Sequence, residues 1–425
     1  MKERIVFHID VNNAFLSWSA VKLLNEGYKE DIRTIASVIA GDEKERRGIV
    51  LAKSPIAKKF HIVTAETLYQ ARRKCPTLKV FTPDYKWYSQ KSKELFTYLS
   101  RYSPTMEQFS IDECFIDVTS YLMMYGMTPR QLAERLMQAV LDETGIYATA
   151  GIGTNMFLAK LALDITAKKV PDGIGYLDKS EFKRLIWHHR PITDVWNIGP
   201  GIARRLEKYG VFDLAGITRM DESILYKEFG VNAEFIIDHA HGIEPCTIAD
   251  INEFKPKSKS ISHGQVLGCA VTRENAWLLI KEMIDSMCLE LVQKNLMTKG
   301  IALTISYEHK YNLGHTGGTR RLEAYTDSYS QLSEAFGRLF EETADHRAMI
   351  KKLNLAMTDL LPYNMAAAEF DMFADTEKQE KERRLQQAVA GIKDKFGKNI
   401  LLRAMSLQEE AKARERNTLV GGHRG

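Results

Sequence analysis

Two adjacent carboxylates lie within the strand-like segment FSIDECFIDV, residues 109–118. Asp112 and Glu113 follow each other directly, and the apolar side chains around them favour a β-strand. Neighbouring carboxylates repel each other, and burying them costs free energy unless cations or hydrogen-bond donors compensate. The segment therefore predicts one of two arrangements: an acidic turn that stays in water, or a carboxylate site that holds cations.

The N-terminal segment predicts a second carboxylate at the end of a strand. Its residues alternate between two faces, with Ile5, Phe7, Ile9 and Val11 on one and Val6, His8 and Asp10 on the other. If this strand neighbours residues 113–118, and a tight turn or bulge lies at 110–112, the three carboxylates converge. Such oxygen ligands suit Mg²⁺ where phosphates are handled, and two ions about 3.5–4 Å apart can stabilise a phosphoryl displacement.

Composition limits the class of protein. The chain has 425 residues, which predicts about two to four domains. The apolar runs are shorter than the roughly 18 residues of a membrane span, and the charged N-terminus does not favour a secretory signal. The five cysteines form no CxxC pair, which favours a reducing compartment, so we expect a cytoplasmic protein without a membrane partner. We also expect a monomer.

Basic residues cluster along the chain although the net charge is only +4. Each cluster alone is compatible with a solvated face, but together they favour a track for nucleic acid. The clusters are KERR (44–47), AKK (57–59), ARRK (71–74), ARR (203–205), KPKSK (255–259), TRR (319–321) and IKK (350–352).

The pattern of predicted elements changes twice along the chain. Short helices and tight turns are predicted from about 174 to 247, followed by a charged, proline-containing linker. Residues 258–362 predict the order β-α-β-β-α-β of a ferredoxin-like sandwich. Residues 363–425 predict a tail with an acidic-aromatic patch and a charged helix.

The segment IGPGIARRLEKYGV, residues 198–211, is typical of a helix-hairpin-helix. Gly199 and Gly201 would let backbone N–H groups reach a DNA phosphate at a helix N-terminus, and Arg204 and Arg205 would add positive charge. Such contacts do not depend on base sequence. A plain helical turn remains the alternative.

The motifs HIDVNNAFLSWSA and SIDECFIDV, at this separation, closely resemble the two metal-binding motifs of Y-family translesion DNA polymerases, bacterial DNA polymerase IV and UmuC-like subunits being nearest. The resemblance covers roughly residues 1–360. It implies a multidomain α+β fold. The implied domains are a palm with an antiparallel or mixed sheet (1–13 and 84–170), small fingers (14–83), a helical thumb with the helix-hairpin-helix (171–247), a linker (248–257), a β-α-β-β-α-β little finger (258–362) and a C-terminal tail (363–425).

The resemblance also implies catalytic roles. Asp10 and Asp112 would hold two Mg²⁺ ions, and the Val11 carbonyl would be a further ligand. Glu113 would complete the metal site beside the primer 3′-hydroxyl, and we expect it to act through the metal rather than as a free base.

Other positions would contact the nucleotide. Phe15 matches the steric gate, whose ring would clash with a ribose 2′-hydroxyl, although a core aromatic is the alternative. Lys160 matches a lysine that reaches the triphosphate. The fingers depart from the family pattern, because Pro55 and Lys58 stand where a tyrosine and an arginine are common. Lys58 keeps a charge but lacks the bidentate geometry of arginine.

The acidic-aromatic patch of the tail resembles the sliding-clamp peptide of bacterial polymerases. Glu369, Met372 and Phe373 match its key positions, with glutamate in place of the usual glutamine. A packing segment is the alternative.

The sequence thus predicts a low-fidelity DNA-directed DNA polymerase for damage bypass, acting on primer-template DNA and dNTPs without a proofreading domain. A non-catalytic DNA-binding repair scaffold is the alternative, and a nucleotide cyclase with a palm fold is a further one.

Overall fold

The computed structural model describes residues 4–41, 48–256, 259–366, 376–420 and 423–424. The chain forms two compact units, Met1–Phe254 and Lys255–Gly425. The α+β composition predicted from the sequence is confirmed in both.

The first unit contains two sheets. In its described residues a five-stranded sheet has the order β5-β6-β1-β7-β8, and a three-stranded sheet has the order β3-β2-β4. The strands are β1 (Val6–Val11), β2 (Ser37–Ala40), β3 (Val50–Lys53), β4 (Lys79–Phe81), β5 (Met106–Gln108), β6 (Glu113–Asp117), β7 (Ala148–Gly153) and β8 (Ile174–Leu177).

Strand β1 is the centre of the larger sheet because it pairs antiparallel with both β6 and β7. The predicted alternation is confirmed: Phe7, Ile9 and Val11 belong to one buried core cluster, while His8 and Asp10 project from the opposite face. The neighbour relation on which convergence of the acids depended is therefore present.

Helices cover the sheets of the first unit. They are α1 (Ala14–Asn25), α2 (Pro55–Lys59), α3 (Leu68–Lys74), α4 (Tyr85–Leu99), α5 (Leu122–Tyr125), α6 (Pro129–Thr144), α7 (Met156–Leu161), α8 (Lys179–Leu185), α9 (Pro200–Glu207), α10 (Leu214–Ile217), α11 (Glu222–Phe229), α12 (Ala233–Ala240) and α13 (Ile248–Glu253). A π turn (Ala162–Thr166) and a 3-10 turn (Ala167–Lys169) extend α7.

Two boundaries differ from the sequence interpretation. Strand β8 pairs parallel with β7, so the larger sheet continues past the boundary that was predicted at residue 170. The predicted linker 248–257 begins as helix α13, because Thr247 and Asp250 form a capping box.

The second unit has the predicted β-α-β-β-α-β order. Its strands are β9 (Ile261–Val271), β10 (Leu296–Tyr307), β11 (His315–Thr326) and β12 (Ile350–Pro362), and its sandwich helices are α14 (Arg273–Gln293) and α15 (Tyr329–Thr343). The strands form a sheet of order β11-β10-β12-β9. Side chains of α14 and α15 share one buried cluster with alternate residues of the sheet.

The predicted tail packs against the body of the second unit over part of its length. It contains α16 (Tyr363–Ala366), α17 (Thr376–Phe396), α18 (Ala413–Arg416) and two short strands, β13 (Leu419–Val420) and β14 (His423–Arg424). Arg403 forms an ion pair with Asp285 of α14, and the Lys412 amide donates to the buried Glu282 carboxylate at 2.9 Å. An ion pair and a backbone hydrogen bond to two acidic side chains of α14 therefore hold this segment. The predicted clamp residues Glu369, Met372 and Phe373 lie outside the described residues.

Candidate active site

Asp10 and Glu113 are direct partners in the antiparallel β1–β6 ladder. Directly opposed residues have Cα atoms about 4.5–5.5 Å apart and share a face of the sheet. The Val11 amide donates to the Asp112 carbonyl at 3.1 Å. This hydrogen bond places Asp112 at the same end of β1 as Asp10 and Glu113. The three predicted acids are therefore brought together.

A tight turn before β6 makes this convergence possible. The amides of Phe109 and Ser110 both donate to the Glu113 carbonyl, at 3.0 and 3.1 Å. The Ser110 hydroxyl donates to the Asp112 carboxylate at 2.7 Å and accepts from the Glu113 amide at 3.1 Å. The turn predicted at 110–112 is thus present, and Ser110, which the sequence did not single out, stabilises it.

The charge of Asp10 is only partly compensated, by the positive charges of Lys168 and Lys160. Burial, followed by the neighbouring Glu113 and Asp112 carboxylates, raises its pKa to about 7. No hydrogen-bond donor of the described residues reaches its carboxylate. Burial also raises the pKa of Asp112, against the Ser110 hydrogen bond. A cation would relieve both effects.

Glu113 is compensated instead. Lys160 Nζ lies 2.7 Å and His8 Nε2 lies 3.0 Å from Glu113 Oε2. Although burial alone would raise it, these hydrogen bonds and the Lys160 charge hold the pKa of Glu113 at about 2. The carboxylate is therefore ionised throughout the neutral range.

The ligand chemistry fits a divalent cation, because carboxylates and the end of β1 supply only oxygen. Within the described residues, however, no three His, Cys, Asp or Glu side chains form a ready-made metal group.

Small residues bring Lys160 to this position. Gly151 and Gly153 of β7 lie so close to α7 that a Cβ atom at Gly151 would meet the Ala159 carbonyl oxygen at 2.1 Å. Asn155 caps α7 through the Leu158 amide, at 2.8 Å. The helix therefore packs directly on the strand beside β1, on the face that carries His8.

Lys168 is a cation near the acids that the sequence interpretation missed. It lies 2.9 Å from Asp164 and its side chain is 51% exposed. Burial opposes the shift, but the Asp164 hydrogen bond raises the pKa of Lys168, and Asp10 and Glu113 add to it. The spacing of Lys160, Asp164 and Lys168 by four residues is the signal that could have found it.

Phe15 lies in the first turn of α1, five positions after Asp10. Its ring stacks on Tyr88 with centroids 4.8 Å apart at 18°, and lies 6.0 Å from Tyr85. The ring is only partly buried. The ring is therefore packed on aromatic neighbours and remains partly accessible.

The fingers segment lies beside the start of α1. Asn13 Nδ2 donates to the Lys53 carbonyl at 2.8 Å, and Ser54 caps the following helix. Pro55 occupies the first turn of α2, where its missing N–H costs nothing. Lys58 is exposed on that helix.

In the segment predicted as a hairpin, Gly199 is the N-terminal cap of α9, and the short 3-10 turn Ile192–Asp194 precedes it. A Cβ atom at Gly199 or Gly201 would meet nothing within 4 Å, so the glycines leave open space. Arg204 is exposed, whereas Arg205 donates to the Glu228 carbonyl at 2.6 Å and is partly buried. Only the first arginine is therefore available to a ligand without rearrangement.

None of the helices in the described residues is both long and apolar enough to cross a lipid bilayer.

Comparison with known proteins gives a consistent result. Residues 9–164 match the impB/mucB/samB family, and residues 258–370 match the C-terminal domain of that family. DNA polymerase IV of Clostridium acetobutylicum is 32% identical over 417 residues, which cover 96% of this chain and 100% of that protein. DNA polymerase IV 2 of Bacillus subtilis is 28% identical, with 100% of this chain and 99% of that protein covered.

A solved Y-family DNA polymerase chimera has a similar fold, with a TM-score of 0.66 at 21% identity, covering 84% of this chain and 99% of its own. The chain belongs to the impB/mucB/samB family, that is, to the Y-family translesion DNA polymerases. It is a DNA-directed DNA polymerase, and membership of this family implies dependence on a divalent metal.

Proposed function

We propose that Asp10, Asp112 and Glu113 form the active site at which dNTPs are added to the 3′-end of a primer on template DNA. The observation that carries this assignment is the pairing of Asp10 with Glu113, with Asp112 held beside Val11. These acids lie together at the C-terminal end of the central strand β1.

Two Mg²⁺ ions are the proposed cofactors. Asp10 and Asp112 would hold both, the Val11 carbonyl would add a ligand, and Glu113 would complete the site beside the primer. When bound, the ions activate the primer 3′-oxygen and neutralise the leaving pyrophosphate. Asp10 must give up its proton on loading, whereas Glu113 is already ionised.

The remaining side chains position the nucleotide. The Phe15 ring, held by Tyr88, would exclude a ribose 2′-hydroxyl. Lys58 is exposed, and it remains a proposed triphosphate contact. For Lys160 that role remains a prediction, and its ammonium is already engaged by Glu113. Lys168 is half-exposed and close to the acids, which supports it as a further triphosphate contact.

The sheet of the second unit supports DNA backbone binding. Its helix-covered face is apolar, but the alternate residues Ala302, Thr304, Asn354 and Ala356 are small or polar. Arg321 and Lys352 are exposed nearby on β11 and β12. A face of small or polar side chains with exposed basic residues nearby can bind the phosphate backbone of DNA. Such contacts do not depend on the base sequence. The hairpin at Gly199 and Gly201, with Arg204 and Arg205, is the proposed second backbone contact.

Primer extension tests the assignment. Asp112→Asn should abolish Mg²⁺-dependent incorporation while duplex binding persists, because the neutral amide cannot hold the ions. Asp142→Asn, an exposed carboxylate on α6, is the matched control and should extend normally. Undiminished extension by Asp112→Asn would remove this residue from the metal site. A non-catalytic scaffold has no observation in its favour.

We further propose a monomeric, cytoplasmic enzyme that binds a sliding clamp through Glu369, Met372 and Phe373. The five cysteines are free thiols, which suits a reducing compartment. Stimulation of extension by the clamp should be lost in Phe373→Ala, and unaltered stimulation would assign the segment to packing.

A further inference from the structure

Asn13 joins the start of α1 to the fingers segment. It is the residue before α1, and its φ and ψ are both 51°, a left-handed backbone that asparagine tolerates better than most residues. Asparagine at this position usually accepts hydrogen bonds from amides of the first helical turn, but Asn13 makes no such cap on the described helix. Its Nδ2 atom donates instead to the Lys53 carbonyl at 2.8 Å. The side chain therefore binds the fingers rather than its own helix.

The Lys53 carbonyl lies directly before α2, the helix that carries Lys58. The next residue, Ser54, accepts from the Ala57 amide at 3.0 Å through its hydroxyl. The Ser54 carbonyl accepts from the Lys58 amide at 2.9 Å. One hydrogen-bonded turn thus connects the atom that Asn13 holds to Lys58, so a displacement of Lys53 would also displace Lys58.

Apolar packing also joins α1 to the fingers sheet, but it does not define their alignment. Leu16 and Ala20 of α1 share a buried cluster with Ile39 and Ala52 of that sheet. Such contacts hold the two elements together without a preferred direction, whereas a hydrogen bond requires a defined distance and angle. We therefore expect Asn13 to determine where the end of β3 lies relative to the start of α1.

We propose that Asn13 is a positioning residue that sets the separation between the Phe15 ring and Lys58. This inference rests on the proposed function, which gives both of these side chains a contact with the dNTP, and deepens it. Asparagine suits the role because it combines tolerance of a left-handed backbone with an amide donor. Glycine would keep only the backbone conformation, and aspartate would place a carboxylate oxygen against the Lys53 carbonyl.

Steady-state primer extension by Asn13→Gly tests this role at saturating primer-template. Because the variant keeps the backbone conformation and loses the donor, we expect KM for dNTP to rise roughly three- to tenfold, the range of one neutral hydrogen bond, while kcat changes little. Asn13→Asp should raise KM at least as much, and it replaces the glycine variant if that protein does not fold. Asn312→Gly changes an exposed asparagine that is also left-handed, so it is the matched control and should leave KM unaltered.

A double-mutant cycle with Lys58 separates this role from a general loss of stability. If Asn13 acts through Lys58, Asn13→Gly should change KM for dNTP little once Lys58→Ala is present, because the group that it aligns is gone. Additive effects of the two substitutions on KM would overturn the proposal. An unaltered KM in both Asn13→Gly and Asn13→Asp would also overturn it.

Hydrogen exchange gives a readout that needs no nucleotide. The Lys58 amide should exchange several-fold faster in Asn13→Gly than in the unaltered protein, because release of the Lys53 carbonyl frees α2 to open, and equal exchange would contradict the alignment.

The kinetic outcomes distinguish this proposal from the proposed function. An unaltered KM for dNTP in Lys58→Ala alone would contradict the proposed triphosphate contact, and this inference with it. A raised KM in Lys58→Ala, with an additive effect of Asn13→Gly, would contradict only the role of Asn13.

Discussion

Asp10 and Glu113 face each other across the β1–β6 ladder, yet their carboxylates have opposite electrostatic surroundings. Glu113 has Lys160 and His8 as hydrogen-bond partners, whereas the charges of Lys168 and Lys160 only partly offset burial and the repulsion of neighbouring carboxylates at Asp10. The pKa of Asp10 is accordingly about 7 and that of Glu113 about 2. The site is divided into a fixed anion and an anion that needs a cation.

Asp10 should make the metal-free protein less stable as the pH rises. Its folded pKa is about 7 against an ordinary value of 3.8, so the folded state holds the proton more tightly. This contribution is complete below about pH 4 and is lost as the pH rises towards 7. The Asp10→Asn variant has no titrating group at this position. The difference between its free energy of unfolding and that of the unaltered protein should therefore change by about a few kcal/mol in favour of the variant as the pH rises from about 4 to 8.

Urea unfolding in a chelator at several pH values measures this difference. Added Mg²⁺ should reduce this difference in the free energy of unfolding, because it stabilises only the unaltered protein. If the free energy of unfolding changed with pH in parallel for the two proteins, the pKa of Asp10 would not be raised in the folded state.

Phe15→Ala should admit ribonucleotides. Loss of the ring opens space above Tyr88, so the ratio of kcat/KM for rNTP to that for dNTP should rise at least about tenfold. Tyr69→Ala removes an exposed aromatic of α3 and should leave the ratio unchanged. Separate extension with each dNTP and rNTP checks this, and an unchanged ratio in Phe15→Ala would remove the gate assignment.

Gly151→Ala should destabilise the first unit. The added Cβ would meet the Ala159 carbonyl oxygen at 2.1 Å, so α7 must move away from β7. We expect a loss of about 1–3 kcal/mol or more in the free energy of unfolding, with weakened activity because Lys160 moves with α7. Gly391→Ala has open space on α17 and should stabilise by about 0.5–1 kcal/mol. Thermal unfolding compares the pair, and equal shifts would contradict the close approach.

The two arginines of the hairpin should behave differently. Arg204→Ala should leave stability unchanged, weaken binding of any duplex and lower the salt slope of affinity by about 1. Arg205→Ala should reduce stability, because this side chain holds the Glu228 carbonyl and lies 4.4 Å from the Phe229 ring centroid. Fluorescence anisotropy over a range of salt, with thermal unfolding, checks both. The opposite pattern would assign the phosphate contact to Arg205.

Local patterns in the sequence predicted much of the site. The alternation around Asp10 fixed its face of β1, and the condition of a turn at 110–112 is met by Ser110. The β-α-β-β-α-β order followed from the same periodicities. These features depend on residues that are close in sequence.

The features that were missed depend on contacts between distant residues. The Lys160–Glu113 ion pair requires α7 to pack on the glycines of β7, which no periodicity reveals. Strand β8 follows a break at Pro171 and joins its sheet only by parallel pairing. The sequence analysis predicted α17 only as a charged helix, because the ion pair between Lys393 and Asp285 of α14 joins residues that are far apart in the sequence.

The packing of residues 376–418 on α14 affects where the chain can be shortened for crystallography or biophysics. A truncation after Pro362 would remove Arg403 and Lys412 and leave the buried Glu282 and its neighbour Asp285 without them. Fragments of the second unit intended for isolated expression should therefore extend through residue 418, or carry neutral residues at those two positions.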